Sequence, residues 1–378
     1  MNAFLKIFLW FVGVLVVLIV SLVCYALYQK KVNKIAPATD MLSIGETTLR
    51  DSIFTYLKGN MRNNAYVSIG IIDGDSIKYI GIKRENGQLK NVDLRDSIFQ
   101  IGSISKVFTT SILAQMVEDG DVRIDETIDK YLGYSLFNDL KITFKSLANH
   151  TSGLDRMPRG TLKNTLLNFN NPYADYTDAW MEDYLKTEVE IGKDNVGKSE
   201  YSNLGMSVLG YTLAKMKNTS YDSLYQNYIF SKYGMSSSFI NNESNNDLIT
   251  QAYESTQIVA PIWSLNVFAP AGGIASNIKD MTKFALQQFD AKNNTIALAH
   301  KPTVTVKEDI SCGLGWMIIH KPDENELLWH NGAVGSVGGY TSSIVIDKKS
   351  KKAVIILSTI HFQDAGGNLD KLAFALVR

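Results

Sequence analysis

The sequence predicts an α/β chain of the α+β kind: an antiparallel sheet flanked by helices and built from both termini, with an inserted, mainly helical domain and an N-terminal transmembrane helix. Three observations carry this reading. Runs rich in β-branched residues occur at 66–82 and again at 327–357, so both ends of the soluble part supply strands to one sheet. Between about 140 and 300, apolar residues recur mainly at helical spacing, broken by loops rich in Asn, Asp and Gly. Residues 7–28 form an uncharged run of 22 positions, long enough to cross a bilayer once.

The elements follow in order. Residues 1–28 read as a membrane anchor or signal sequence and 29–44 as a linker. The apolar run is longer than a usual signal-peptide core, which favours an uncleaved anchor over cleavage near Cys24-Tyr25-Ala26. Lys30, Lys31 and Lys34 after the span argue for a cytoplasmic C-terminal side. A single span feeding a domain of over 300 residues more often exports that domain, so the expected location is the outer, periplasmic face of the cytoplasmic membrane. Export after signal cleavage is the alternative.

Residues 45–378 form the expected soluble domain. Residues 47–58 read as a short helix, and 66–72 with 77–82 as two strands joined through Asp73-Gly74. Val107, Phe108, Ile112, Leu113, Met116 and Val117 recur at helical spacing, and Gly120 ends that helix. A helical subdomain spans about 140–300. Strands at 327–330, 339–346 and 353–357 and a helix at 368–377 close the chain.

Bulk composition excludes several function classes. The 378 residues carry 38 basic and 38 acidic side chains, so no basic surface for nucleic acid is indicated. Five scattered histidines show no metal-binding spacing, and neither a metal nor a cofactor is expected. Cys24 lies in the apolar N-terminal run, so it and Cys312 make no disulfide framework.

The chemistry begins at Ser103-Ile-Ser-Lys106. Residues three apart on a helix share a face, so the lysine amine can reach the serine hydroxyl. A partly desolvated lysine can take the serine proton, and a helix start favours negative charge developing nearby. Ser276-Asn-Ile-Lys279 fits the same pattern by chance, and the tetrad by itself more often marks an ordinary buried helix. Ser199-Glu-Tyr201-Ser-Asn203-Leu-Gly adds a phenol and an amide on one loop before a helical run. Tyr225-Gln-Asn227 repeats that spacing inside a helical pattern, where both side chains are expected on a solvated face. Trp329-His330-Asn331-Gly332-Ala333 ends a strand, and its glycine lets a substrate lie close to the backbone.

With these three motifs, residues 45–378 resemble the serine β-lactamase and penicillin-binding-protein family, in particular the broad class C group that includes D-aminopeptidases and esterases. Further landmarks agree in order: Phe99-x-Ile-Gly-Ser-x-Ser-Lys, Val117-Glu-Asp-Gly-Asp-Val, Leu147-Ala-Asn-His-Thr-Ser-Gly-Leu154, Pro270-Ala-Gly-Gly-Ile274 and Gly313-Leu-Gly-Trp316. The resemblance implies Ser103 as acylated nucleophile and Lys106 as its amine partner. Tyr201, with its pKa lowered by nearby positive charge, would shuttle the proton. Asn203 would hold a substrate amide or Lys106, and the N–H groups of Ser103 and Ala333 would form the oxyanion hole.

One departure bears on substrate. Where β-lactamases carry Lys-Thr-Gly, this chain has His330-Asn331-Gly332. A histidine is only partly charged near neutral pH, so carboxylate anchoring should weaken. The implied substrate is an ester, a D-amino-acid amide or a small peptide, cell-wall fragments included, rather than a penicillin. A D,D-carboxypeptidase or weak β-lactamase is the runner-up, and a non-catalytic cell-wall sensor comes from another class. His150 and Trp316 read as bracing and core residues, and Cys312 as a small apolar filler.

Overall fold

The computed structural model describes residues 34–168, 170–254, 257–322, 325–335 and 338–378. The apolar run 7–28 and Cys24 lie outside them. Among the described residues no helix is long and apolar enough to cross a membrane.

The chain opens with β1 (Thr39–Met41), α1 (Thr47–Leu57), β2 (Tyr66–Asp73), β3 (Ser76–Glu85) and β4 (Gln88–Asn91). The short β5 (Phe99–Gln100) leads into a 3₁₀ turn, Gly102–Ile104, and then α2 (Ser105–Glu118). The middle supplies α3 (Asp178–Thr187), α4 (Asn203–Met216), β6 (Phe239–Ile240), β7 (Ile274–Ser276) and α5 (Ile278–Gln287). Six strands follow: β8 (Val304–Lys307), β9 (Ile310–Cys312), β10 (Met317–His320), β11 (Glu326–Val334), β12 (Tyr340–Asp347) and β13 (Lys352–Ser358). Helix α6 (Asn368–Leu376) ends the fold.

Ten strands make one sheet in the order β1-β4-β3-β2-β13-β12-β11-β10-β9-β8, so β2 meets β13 and the two chain ends share the sheet. Every pair is antiparallel except β1 with β4, which is parallel. That parallel strand falls in the stretch read as a linker: Thr39–Met41 is too short and polar to show a strand pattern, yet it pairs along the sheet edge. The middle also holds strand, because β6 and β7 join β5 in a three-stranded sheet.

Alternation along β13 explains the layering. Successive strand side chains point to opposite faces. Val354 and Ile356 therefore join one core with α1 and α6, while Ala353, Ile355 and Leu357 join the larger core with α2, α4 and α5. A sheet covered on both faces reads as a nearly continuous apolar run, as this strand does. In the β2–β3 hairpin Asp73 pairs with Ser76, and Gly74 at φ +60° takes the left-handed turn position.

Helix α2 is buried almost all round, which a central helix of a large core requires. Its polar residues are satisfied internally: Thr110 Oγ1 donates to the Leu314 carbonyl at 2.8 Å, and Ser111 Oγ to the Val107 carbonyl at 2.6 Å. Strand β10 stops opposite Trp329, so residues 330–334 of β11 pair on one side only, with β12. The 3₁₀ turn before α2 packs against that uncovered stretch.

Candidate active site

Ser103 sits in the 3₁₀ turn, half-buried, with Lys106 fully buried one turn along in α2. The lysine Nζ lies 3.0 Å from Ser103 Oγ and donates to the Ala271 carbonyl at 2.6 Å. Burial, followed by the charge of Arg156, moves the Lys106 pKa well below its ordinary value. A neutral amine keeps a lone pair while one N–H serves the Ala271 carbonyl. It can therefore accept the serine proton.

Tyr201 enters from the loop before α4. Ser202 caps that helix, its Oγ accepting from Gly205 N at 2.8 Å and donating to the Asp155 carbonyl at 2.7 Å. His150 Nδ1 accepts from Ser202 N at 3.2 Å, and its ring lies 4.7 Å from that of Tyr201. These contacts fix the loop and give His150 the bracing geometry its sequence context indicated. Tyr201 lines the same cleft as Ser103, and Lys106 Nζ sits 4.7 Å from the centre of its ring.

The expected direction of the tyrosine shift is overturned. Loss of hydration pushes the Tyr201 pKa up to about 12, outweighing the nearby Ser103 hydroxyl and the Arg156 charge that pull it down. The sequence exposed the nearby positive charge but not the burial. Tyr201 is thus a protonated phenol, a donor rather than a resting base.

Asn203 lines the same cleft as Ser103 and Tyr201 but does not bond Lys106. Its Nδ2 donates to Met157 Sδ at 3.6 Å, while its Oδ1 is buried with no partner among the described residues. That orphaned acceptor suits a substrate N–H.

The third motif divides by strand alternation. His330 is buried and turned toward the Tyr201 ring, 6.4 Å between centres. Burial, then the charge of Lys106, lowers its pKa to about 3, so it is neutral rather than partly charged at pH 7. Asn331 points outward, where its Nδ2 donates to Asp370 Oδ2 at 2.8 Å. Gly332 is the close-approach point, since a Cβ there would lie 2.0 Å from the Ile101 carbonyl and 2.9 Å from Ser103 N. Reciprocally, a Cβ on Gly102, whose φ is +53°, would lie 2.6 Å from Ala333 N. The backbone of Ala333 is thereby held against the serine turn.

These residues border one cleft of about 610 Å³. All eight residues singled out from the sequence converge around it, with Lys106 and His330 behind its wall. The sequence reading missed Arg156, whose guanidinium carbon sits 5.1 Å from the Tyr201 ring centre, and Asp370 on α6. The Pro270-Ala-Gly-Gly turn acts through its backbone, since the Ala271 carbonyl holds Lys106. Both decoys separate cleanly. Lys279 pairs with Asp96, and Ser276 is buried in β7. Tyr225 departs from expectation: it is buried against α2 and bonds Thr109, while only Asn227 is exposed. Cys312 is buried, and burial pushes its thiol pKa up to about 12. Among the described residues, no three His, Cys, Asp or Glu side chains are placed to hold a metal ion.

The family model described as Beta-lactamase matches residues 67–376. "Beta-lactamase-like protein 2" of Dictyostelium discoideum is 24% identical over 293 residues, covering 71% of this chain and 50% of that protein. "D-alanyl-D-alanine-carboxypeptidase/endopeptidase AmpH" of Escherichia coli K12 is 22% identical over 284 residues, 70% of this chain and 71% of AmpH. The fold is similar to a class C beta lactamase from Rhodobacter sphaeroides, with TM-score 0.70 and 17% identity over 87% of this chain and 99% of that one. The chain spans about half the length of several of the curated relatives it matches.

Proposed function

The chain belongs to the beta-lactamase family of serine hydrolases, and from that premise we propose that it cleaves an ester, a D-amino-acid amide or a small peptide through an acyl-enzyme on Ser103. The observation that carries this reading is the buried Lys106 amine 3.0 Å from Ser103 Oγ, with its proton affinity lowered by desolvation. In acylation the serine oxygen attacks the substrate carbonyl while its proton passes to Lys106. The N–H groups of Ser103 and Ala333 receive the developing oxyanion, a contribution of roughly 3–4 kcal/mol per donor in hydrolases of this kind. Tyr201, protonated at rest, gives its proton to the leaving group and takes back from Lys106 the proton that Ser103 gave up. Water then releases the acyl group along the reverse path.

A neutral His330 supports substrates other than penicillins, since it offers no fixed charge to a β-lactam carboxylate. The D,D-carboxypeptidase reading is the second, favoured by the similarity to AmpH. We place the domain outside the cytoplasm on the strength of the apolar run 7–28.

The test is covalent labelling. The intact chain and its Ser103→Ala variant are treated with a fluorophosphonate and weighed by mass spectrometry. Labelling of the parent alone is expected. If neither gains mass, the hydrolase reading falls and a non-catalytic sensor takes its place.

A further inference from the structure

The Pro270-Ala-Gly-Gly motif forms one helical turn, Ala269–Gly272, and its carbonyls set where Lys106 can donate. A helix end leaves its last carbonyls without partners along the chain. Three side chains of α2 close this one. Lys106 Nζ donates to the Ala271 carbonyl at 2.6 Å, Thr109 Oγ1 lies 2.6 Å from the Pro270 carbonyl, and Ser105 Oγ accepts from Ile274 N at 3.1 Å. The Pro270 ring also seats on α4 at Gly210, where a Cβ would lie 2.2 Å from its Cγ.

Thr109 has a further contact, the hydroxyl of the buried Tyr225. A hydroxyl carries a single hydrogen, and a carbonyl oxygen only accepts. The Ser105 carbonyl, at 3.2 Å, is the longer contact, so the Thr109 hydrogen goes to the Pro270 carbonyl. Tyr225 must then donate to Thr109. The chain runs one way, from Tyr225 O–H through Thr109 Oγ1–H to the Pro270 carbonyl, next to the Ala271 carbonyl that holds Lys106. Burial raises the Tyr225 pKa, so the phenol stays a donor. Its ring is held as well, 6.1 Å from Phe230, which lies 6.3 Å from Phe108 of α2. Tyr225 closes the helix Tyr221–Tyr225, and the chain then widens into a π turn, Gln226–Phe230. Such turns are rare and often mark functional positions.

We infer that Tyr225 and Thr109 are positioning residues for the amine base: they hold the Pro270–Ala271 peptide against α2, and so fix the acceptor that keeps Lys106 Nζ beside Ser103 Oγ. This deepens, and rests on, the reading of Lys106 as the group that takes the serine proton. Both residues are buried and neither lines the cleft, so they act without touching substrate. An ammonium gains more from a carbonyl acceptor than a neutral amine does. Drift of the Ala271 carbonyl should therefore lower the Lys106 pKa further while misplacing its lone pair. The other charged or titratable groups around Lys106 are Arg156, His150, His330 and Tyr201, all of which Tyr225→Phe leaves in place.

The experiment reads the amine directly. Full-length protein with isotope-labelled lysine is titrated by NMR, the Lys106 Nζ signal being the one that Lys106→Met lacks. In Tyr225→Phe and in Thr109→Val its midpoint should lie about half a pH unit or more below that of the parent, and Thr109→Ser should restore it. The double variant should move no further than Thr109→Val, because the phenol acts only through the threonine hydroxyl. Tyr79→Phe breaks a phenol–threonine bond of 2.9 Å between β3 and α5, and should lower the melting temperature without moving the midpoint. An unchanged or higher midpoint in Tyr225→Phe, or in Thr109→Val should that alone fold, overturns the inference. Hydrolysis of 4-nitrophenyl butyrate reports on the hydrolase reading, and its kcat/KM should fall about ten- to a hundredfold in Tyr225→Phe. A lowered midpoint in a chain whose parent hydrolyses nothing keeps the positioning and removes the hydrolase reading. Hydrolysis with an unmoved midpoint does the opposite.

Discussion

Lys106 Nζ lies 4.7 Å from the centre of the Tyr201 ring, and burial drives the two groups in opposite directions. The amine loses proton affinity while the phenol gains it, its pKa reaching about 12. Desolvation penalises whichever form is charged, so one environment yields a neutral base and a neutral acid side by side. Groups whose environments push their pKa values apart can divide acid and base duties at neutral pH.

The pH profile tests this division. For neutral 4-nitrophenyl butyrate, kcat/KM should rise with pH as Lys106 loses its proton and then stay level through pH 10, because Tyr201 titrates near 12. No histidine should contribute a limb near 6.5, since burial lowers both His150 and His330 to about 3. Arg156→Gln should move the acid limb to higher pH, because the arginine charge helps hold Lys106 deprotonated. A wild-type limb near 6.5 that disappears in a His330 variant would contradict the assignment.

Lys106→Met separates catalysis from stability. Acylation should fall about 10²–10⁴-fold, the usual worth of a positioned acid–base group. Stability near neutral pH should rise, by about 2–4 °C in melting temperature. The sign follows from proton linkage. Lys106 holds its proton less tightly when folded than when unfolded, so folding releases protons at any pH between the lowered value and the ordinary 10.5. Parent stability therefore climbs with pH across that window, and the advantage of the variant should shrink toward pH 10.5. The Ala271 carbonyl, left without its donor, limits the gain. Calorimetric melts at several pH values check both claims, and a gap that widens with pH would exclude a neutral Lys106.

What the sequence disclosed depended on how local each feature was. Ser103 and Lys106 are three residues apart, so helix geometry alone brings them together. Strands β2, β12 and β13 are long and buried on both faces, which leaves a dense apolar run in the sequence. Edge strands such as β8, mostly exposed, carry no such run and went unread. Tyr201 could be singled out only through family resemblance, because its contact with Ser103 spans almost a hundred residues. Arg156, Ala271 and Asp370 act through folded proximity and leave no local pattern. Tyr225 shows the same limit from the other side: one helical turn holds a buried tyrosine and an exposed asparagine, and only packing against α2 decides which is which.

Gly332→Ala tests the contact between β11 and the serine turn. The added Cβ would meet the Ile101 carbonyl at 2.0 Å, and that atom is backbone that cannot rotate away. We expect a loss of about 1–3 kcal/mol from overpacking. Acylation should fall by about 10²-fold or more as the two backbone donors separate. Gly45→Ala, whose Cβ would meet nothing within 4 Å, serves as the matched control. Urea melts and single-turnover acylation measure the two effects. An acylation rate equal to that of the control would show that the turn does not depend on this close approach.

His330→Lys asks whether charge at the third motif governs substrate choice. In the parent, the imidazole Nδ1–H donates to the Asn331 carbonyl at 2.6 Å, and Nε2, buried, has no partner among the described residues. A lysine there would place a second amine in the region already occupied by Lys106. Two ammonium groups so close cannot both persist, and Lys106, more deeply desolvated and beside Arg156, is the one that stays neutral. The longer lysine stem can carry the new cation from behind the cleft wall to its edge, where it should attract a β-lactam carboxylate. Acylation by benzylpenicillin should rise about tenfold relative to 4-nitrophenyl butyrate. The acid limb of the ester profile should move to lower pH, because the added charge opposes protonation of Lys106. Second-order acylation constants for the two substrates, measured across pH, give both readouts. A ratio within twofold of the parent, with the ester rate intact, would mean that position 330 does not control carboxylate recognition.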